Sequence, residues 1–157
     1  MQAELGSRAP DCTLLDQDWR PVTLSTLFGS RPTVLAFFPA AFSPSSTREM
    51  LALRGSFSDL GPQGIQYCGI SVDTPFALKA FAKELNLNFP LLSDFNKDAI
   101  TVYGVFDADM RGLRGVAKRA LFVVDKQAVL RYREVLEDAD AAWNYAKLGQ
   151  AIARLGP

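Results

Sequence analysis

The sequence predicts an α/β fold: a mixed sheet, parallel in its interior and antiparallel where a hairpin closes it, with helices on its flanks. Three observations carry that prediction. Strand-like apolar runs alternate along the chain with segments whose apolar residues recur every three to four positions. One run, Thr33-Val-Leu-Ala-Phe-Phe38, is apolar without a break, as a central strand covered on both faces requires. Two late runs, Ala120–Val124 and Val129–Val135, are joined by the short polar turn Asp125-Lys-Gln-Ala128 and read as a hairpin.

Cys12–Leu15 and Pro21–Leu24 read as short strands joined by the turn Asp16-Gln-Asp-Trp-Arg20, which carries Trp19. The Thr33–Phe38 strand follows. Past Pro39 the period changes: Met50, Leu53, Phe57 and Leu60 place one apolar stripe on a helix, and Gly61-Pro62 stops it. Ile65–Val72 is β-branched and aromatic, a strand. Asp73-Thr-Pro75 opens a helix in which Ala77, Phe81 and Leu85 recur every four residues. Phe89-Pro-Leu-Leu92 reads as an edge strand, where Pro90 is tolerated, and Lys97–Tyr103 adds a turn or two of helix. In the closing hairpin Leu130 and Tyr132 alternate with Arg131 and Arg133, so one face meets water. A last helix carries Leu148, Ile152 and Leu155, with Trp143 near it as a packing residue.

At 157 residues, 48% hydrophobic and 22% charged, the chain is read as one domain over 1–157 with a core that needs no disulfide or metal staple. Seventeen basic residues balance seventeen acidic ones, which argues against a surface built for nucleic acid or anionic lipid. Histidine is absent, which excludes Ser-His-Asp triads, Cys-His pairs and His-ligated metals. The two cysteines, Cys12 and Cys68, form no CxxC. The first ten residues have no apolar core of a secretory signal, and the most apolar stretch, Val34–Phe42, is far too short to span a membrane. A soluble cytoplasmic protein is expected.

Chemistry is concentrated between Phe37 and Glu49, where a buried strand passes into an amphipathic helix, the sheet end at which α/β proteins place ligands. Ser46-Thr-Arg-Glu49 has the form of a capping box, and Ser43-Pro44 offers an alternative N-cap and first helical residue. Either start points free backbone N–H groups and the positive helix end toward Ser46, an environment that favours an anion.

Pro39-Ala-Ala-Phe-Ser43-Pro-Ser-Ser46 resembles the peroxiredoxin signature Pro-x-x-x-Thr/Ser-x-x-Cys, with Ser46 at the position of the peroxidatic cysteine. Ala9-Pro-Asp11, Gly69-Ile-Ser-Val-Asp73, Phe89-Pro-Leu-Leu-Ser-Asp94, Tyr103-Gly-Val-Phe106 and Lys118-Arg-Ala-Leu-Phe-Val-Val-Asp125 keep the family order. The resemblance covers roughly residues 5 to 135 and is nearest to the one-cysteine alkyl hydroperoxide reductase E group of the AhpC/TSA family. It implies a thioredoxin-like fold with an added N-terminal hairpin. It implies a thiol peroxidase that reduces hydrogen peroxide and alkyl hydroperoxides, with no metal, flavin or haem.

The resemblance also assigns roles. Arg119 takes the position of the arginine that lowers the thiol pKa and bonds the peroxide oxygens. Ser43 orients the peroxide, Pro39 shields the nucleophile from water, and Glu49 positions Arg119 through a charge-assisted bond. An external thiol or redoxin supplies electrons, since Cys12 and Cys68 are not at resolving positions and Leu51 stands where one such position falls. A homodimer through the loops around the site is implied, with Phe42 in the contact. The basic loop Arg111-Gly-Leu-Arg114 reads as solvated. Serine cannot ionise beside one arginine and has no histidine as base. Two accounts of Ser46 stay open: a native cysteine replaced by serine, or a natural relative that keeps the fold as a binding or sensing module. The fit of the surrounding residues to an active peroxidase favours the first.

Overall fold

The computed structural model describes residues 3–57 and 64–155. The strands are β1 (Thr13–Asp16), β2 (Pro21–Thr23), β3 (Thr33–Phe37), β4 (Gln66–Ser71), β5 (Leu91–Ser93), β6 (Phe106–Asp107), β7 (Val116–Ala117), β8 (Arg119–Val124) and β9 (Leu130–Leu136). The helices are α1 (Leu24–Ser30), α2 (Pro44–Ala52), α3 (Pro75–Leu85), α4 (Asp98–Val102) and α5 (Tyr145–Ala153). Seven strands form one sheet in the order β2-β1-β5-β4-β3-β8-β9, and β6 and β7 make a separate two-stranded ribbon.

The sheet is parallel where β3, β4 and β5 meet and antiparallel on both sides of that centre. Every residue of β3 is buried, as its unbroken apolar run requires. Alternate side chains divide between two cores. Leu35, Phe37, Cys68, Ala120 and Phe122 pack with α1 and α4 on one face, while Val34, Ala36, Leu121 and Val123 pack with α2, α3 and α5 on the other.

Three differences from the sequence reading have identifiable causes. β5 is an interior strand, not an edge, because the N-terminal hairpin docks onto it with Leu15 opposite Ser93 and Asp16 opposite Leu92. Pro90 lies just ahead of it and contributes its carbonyl, which accepts the Gly69 N–H at 3.1 Å. Helix α1 was not expected, since its seven residues, with Leu24, Leu27 and Phe28 on the core face, are too few to establish a helical period. The β6–β7 ribbon is two residues per strand, too short to leave a period in the sequence. The first turns of α2 are as regular as expected, and Leu53–Phe57 then widens into a π-helical turn. The predicted continuation to Leu60 and the Gly61-Pro62 stop lie outside the described residues.

Gly69 lets α2 settle on the sheet. A Cβ there would lie 2.5 Å from Leu91 Cδ2 and 3.3 Å from both Met50 Sδ and Phe38 Cε1, all in fully buried side chains. Gly69→Ala is therefore expected to cost about 1–3 kcal/mol through overpacking. A lowered urea midpoint at unchanged m-value checks it.

Candidate active site

The register of the sheet builds the site. In the antiparallel β3–β8 pair Phe37 lies opposite Ala120, so the chain leaves β3 beside Arg119. Pro39 is buried in the loop that follows. Asp73, at the end of the neighbouring parallel strand, holds that loop: its carboxylate accepts the Ala41 N–H at 2.9 Å and the Ser71 hydroxyl at 2.6 Å. Phe42 adopts the left-handed region at φ 69, unusual for an aromatic residue, and its half-exposed ring rests on Phe81 with centroids 5.1 Å apart.

Ser43 is then the N-cap of α2 and Pro44 its first residue. The Ser43 Oγ accepts the Ser46 N–H at 3.4 Å and donates to the Ala40 carbonyl at 2.8 Å. The capping-box start at Ser46 is thus not used. Ser46 lies within the first turn, where the helix end is most positive, and is fully buried.

Arg119 is also fully buried. Alternation along β8 places it on the same face as Leu121 and Val123, toward α2. Its Nη2 donates to Ser45 Oγ at 2.8 Å and to Ser46 Oγ at 3.2 Å, and its Nε donates to the Ala139 carbonyl at 2.9 Å. The guanidinium carbon stands 5.9 Å from the centre of the Trp143 ring. Nη1 has no hydrogen-bond partner among the described residues, and neither do Trp143 Nε1 or Glu49 Oε1. A buried guanidinium with one N–H group still unpaired therefore stands beside the first turn of α2, a setting that stabilises negative charge on residue 46.

Residues 5–133 match the model of the AhpC/TSA family. The chain belongs to the AhpC/TSA family. Its match to chloroplastic peroxiredoxin Q of Oryza sativa subsp. japonica is 39% identical over 127 residues, 81% of this chain and 57% of that one. Its match to alkyl hydroperoxide reductase E of Mycobacterium tuberculosis is 34% identical over 138 residues, 87% of this chain and 88% of that one. The chain thus spans little more than half the length of that rice relative and is similar to both groups. Among solved structures, peroxidoxin BcpB from Mycobacterium tuberculosis superposes with a TM-score of 0.79 at 29% identity, covering 98% of this chain and 97% of that one. A peroxiredoxin-like protein from Aquifex aeolicus gives 0.86 at 22% identity, covering 99% and 89%. The expected thioredoxin-like fold of the family is what these neighbours share.

In this peroxiredoxin Ser43, Ser46 and Arg119 are brought together through direct or capping hydrogen bonds, and Pro39 sits in the loop between β3 and the helix. Glu49 departs from its expected bond. It is fully buried, yet its Oε2 accepts from the Tyr145 hydroxyl and its Oε1 lies 3.9 Å from Arg48 Nε, so no hydrogen bond joins it to Arg119. Its influence on Arg119 is electrostatic across the site.

Tyr145, Trp143, Ser45 and the Ala139 carbonyl were not foreseen. All but Ser45 come from the irregular stretch after β9 and the start of α5, where no period marks a residue as inward-facing. Trp143 precedes α5 and is core, as its packing role required. Cys68 lies on the opposite face of the sheet from α2, and Cys12 packs against that same opposite core. Burial pushes the Cys68 thiol up to about 12. Burial, with Asp94, Asp11 and Asp98 nearby, pushes Cys12 up to about 12 as well. Among the described residues no group of three or more Cys, Asp and Glu is placed to hold a metal.

Burial raises the Glu49 pKa, while the Tyr145 hydrogen bond and the Arg119 and Arg48 charges pull it down; Glu134 adds a smaller upward push. Tyr145→Phe removes a contribution that favours the carboxylate, so Glu49 moves further up. An acid whose folded pKa is raised loses stability as pH rises from its unfolded value through its folded one. The variant should therefore be closest to the parent near pH 4.5 and fall behind by about 1–3 kcal/mol at neutral pH. Urea denaturation at both pH values checks it; an equal loss at both would remove Glu49 from the account.

Proposed function

We propose that the fold carries the peroxide-reducing site of a one-cysteine thiol peroxidase with its nucleophile position held by Ser46. With cysteine there, the thiolate attacks the terminal oxygen of hydrogen peroxide or an alkyl hydroperoxide. The O–O bond breaks, sulfur becomes a sulfenic acid, and the departing oxygen takes a proton and leaves as water or alcohol. An external thiol or redoxin then returns the sulfur to the thiol. With serine there, the chain keeps the pocket and lacks the chemistry.

The observation that supports this most is the fully buried Arg119, whose Nη2 reaches Ser46 Oγ at 3.2 Å while its Nη1 stays unpaired. A buried guanidinium is costly unless engaged, and here it faces residue 46. Arg119 would lower the thiol pKa and hold the peroxide oxygens. Ser43 and Pro39 would shape the entry, and Glu49, through Tyr145, would tune the charge around Arg119. The same reading includes a homodimer through the loop bearing exposed Phe42, and a cytoplasmic place, although the peroxiredoxin Q relatives are chloroplastic. Among the described residues no helix is long and apolar enough to cross a membrane. Peroxide consumption by the Ser46→Cys protein with added thiol tests the reading.

A further inference from the structure

At the end of the sheet away from Ser46 a groove of about 840 Å3 runs between the β8–β9 hairpin and α5. The β8–β9 ladder starts with Arg119 opposite Leu136 and ends with Val124 opposite Leu130, next to the groove. At about 3.3 Å per residue the two places lie roughly 16 Å apart along the strand. The groove is therefore not an extension of the site at Ser46.

Its charge is one-sided. Lys126, Arg131, Lys147 and Arg154 line it, against the single carboxylate of Asp125. That carboxylate is fully engaged: it accepts the Gln127 and Val129 N–H groups, both at 2.9 Å, and the Arg131 Nε at 2.7 Å. Among the described residues Lys126, Lys147 and Arg154 take part in no ion pair. The chain has seventeen cations and seventeen anions, so three unpaired cations in one groove are a local segregation rather than an overall excess. Gathering them adds mutual repulsion to the folded state.

Geometry narrows the ligand. Lys147 in α5 and Arg154 at its C-cap are seven residues apart and both line the groove, with Gln150 between them. The Arg131 guanidinium is anchored through Nε, which leaves its two Nη groups as a fork suited to phosphate. The half-buried Tyr132 ring, tied at its hydroxyl to Glu134 at 3.1 Å, supplies an apolar wall. The volume suits a small molecule, not a protein surface.

We propose that this groove binds a phosphorylated anion carrying about three or more negative charges, a triphosphate chain either inorganic or on an organic carrier. The test is calorimetric titration of the chain as it stands, at physiological salt, with tripolyphosphate and with ATP, and with adenosine as an uncharged control. The expected result is saturable one-to-one binding of the triphosphates and none of adenosine. The Lys147→Gln/Arg154→Gln double variant should weaken binding by about tenfold or more. Lys83→Gln, exposed on α3, should leave it unchanged. Tighter binding of ATP, lost in Tyr132→Leu, identifies an organic carrier; equal affinity identifies the phosphate chain itself. Both outcomes support the groove. Heat that never saturates overturns it, as does a folded double variant that binds as well as the parent or an equal loss in Lys83→Gln.

Discussion

Ser46→Cys is expected to turn a protein that consumes hydrogen peroxide no faster than buffer into a thiol-dependent peroxidase. The gain should be on the order of a thousandfold or more, the scale on which removal of a covalent nucleophile is felt in other enzymes. A serine hydroxyl at the N-terminus of α2 beside one guanidinium stays protonated, and the chain has no histidine to deprotonate it. Glu49, the nearby carboxylate, is occupied by Tyr145. A thiol at the same place starts from a pKa of about 8.5 and is lowered by the same helix end and the same Arg119. One equivalent of peroxide without reductant should leave a sulfenic acid at residue 46. An internal disulfide is not expected, because Cys12 and Cys68 belong to the core on the other face of the sheet. Mass spectrometry after alkylation reads the product. Peroxide turnover equal in the two proteins would sink the assignment of position 46.

The second large effect lies at Arg119. In the Ser46→Cys background, Arg119→Met should slow the peroxide reaction by about tenfold to a hundredfold and raise the thiol pKa, since a charged hydrogen bond is worth roughly 1.5–3 kcal/mol. Arg119→Lys should restore only part of the rate. The guanidinium uses Nε on Ala139 and Nη2 on the α2 serines, and an ammonium cannot hold both while presenting a further N–H. The substitution also empties a fully buried site, so stability falls in either variant. For this reason the decisive quantities are the thiol pKa and the rate per folded molecule. A destabilised Arg119→Met protein with both unchanged would reduce Arg119 to a structural residue.

What the sequence shows and what it hides follows from the range of the forces involved. β3, β4, α3 and the β8–β9 hairpin are legible because their periods are local: an unbroken apolar run, a Thr-Pro helix start, alternating Leu130 and Tyr132. The neighbour of β5 is not local. It depends on the pairing of Leu15 with Ser93, nearly eighty residues away in the chain, which no window sees. The site divides the same way. Pro39, Ser43 and Ser46 lie within one short segment and read as a motif, whereas Arg119 precedes the apolar run Ala120–Val124 and is assigned only through the family resemblance. Trp143 and Tyr145 reach Arg119 and Glu49 only because the segment after β9 and the start of α5 fold back over α2, and nothing local in the sequence marks that contact. Glu49 bonds Tyr145 rather than Arg119, a partner that no local pattern in the sequence marks.

The division of the sheet into two faces has a consequence for how this protein can be altered. Arg119 belongs to the α2 side because it shares its face with Leu121 and Val123 in the register that sets Phe37 against Ala120. Extra residues in the exposed loop between β6 and β7 leave that register alone, so the loop is free to vary in length. One residue added inside β8 transfers the guanidinium to the opposite core, among Phe37, Tyr103 and Phe122. Growth by loops and growth within strands are therefore unequal routes: the first can add a new surface to the protein, and the second erases its arginine in one step.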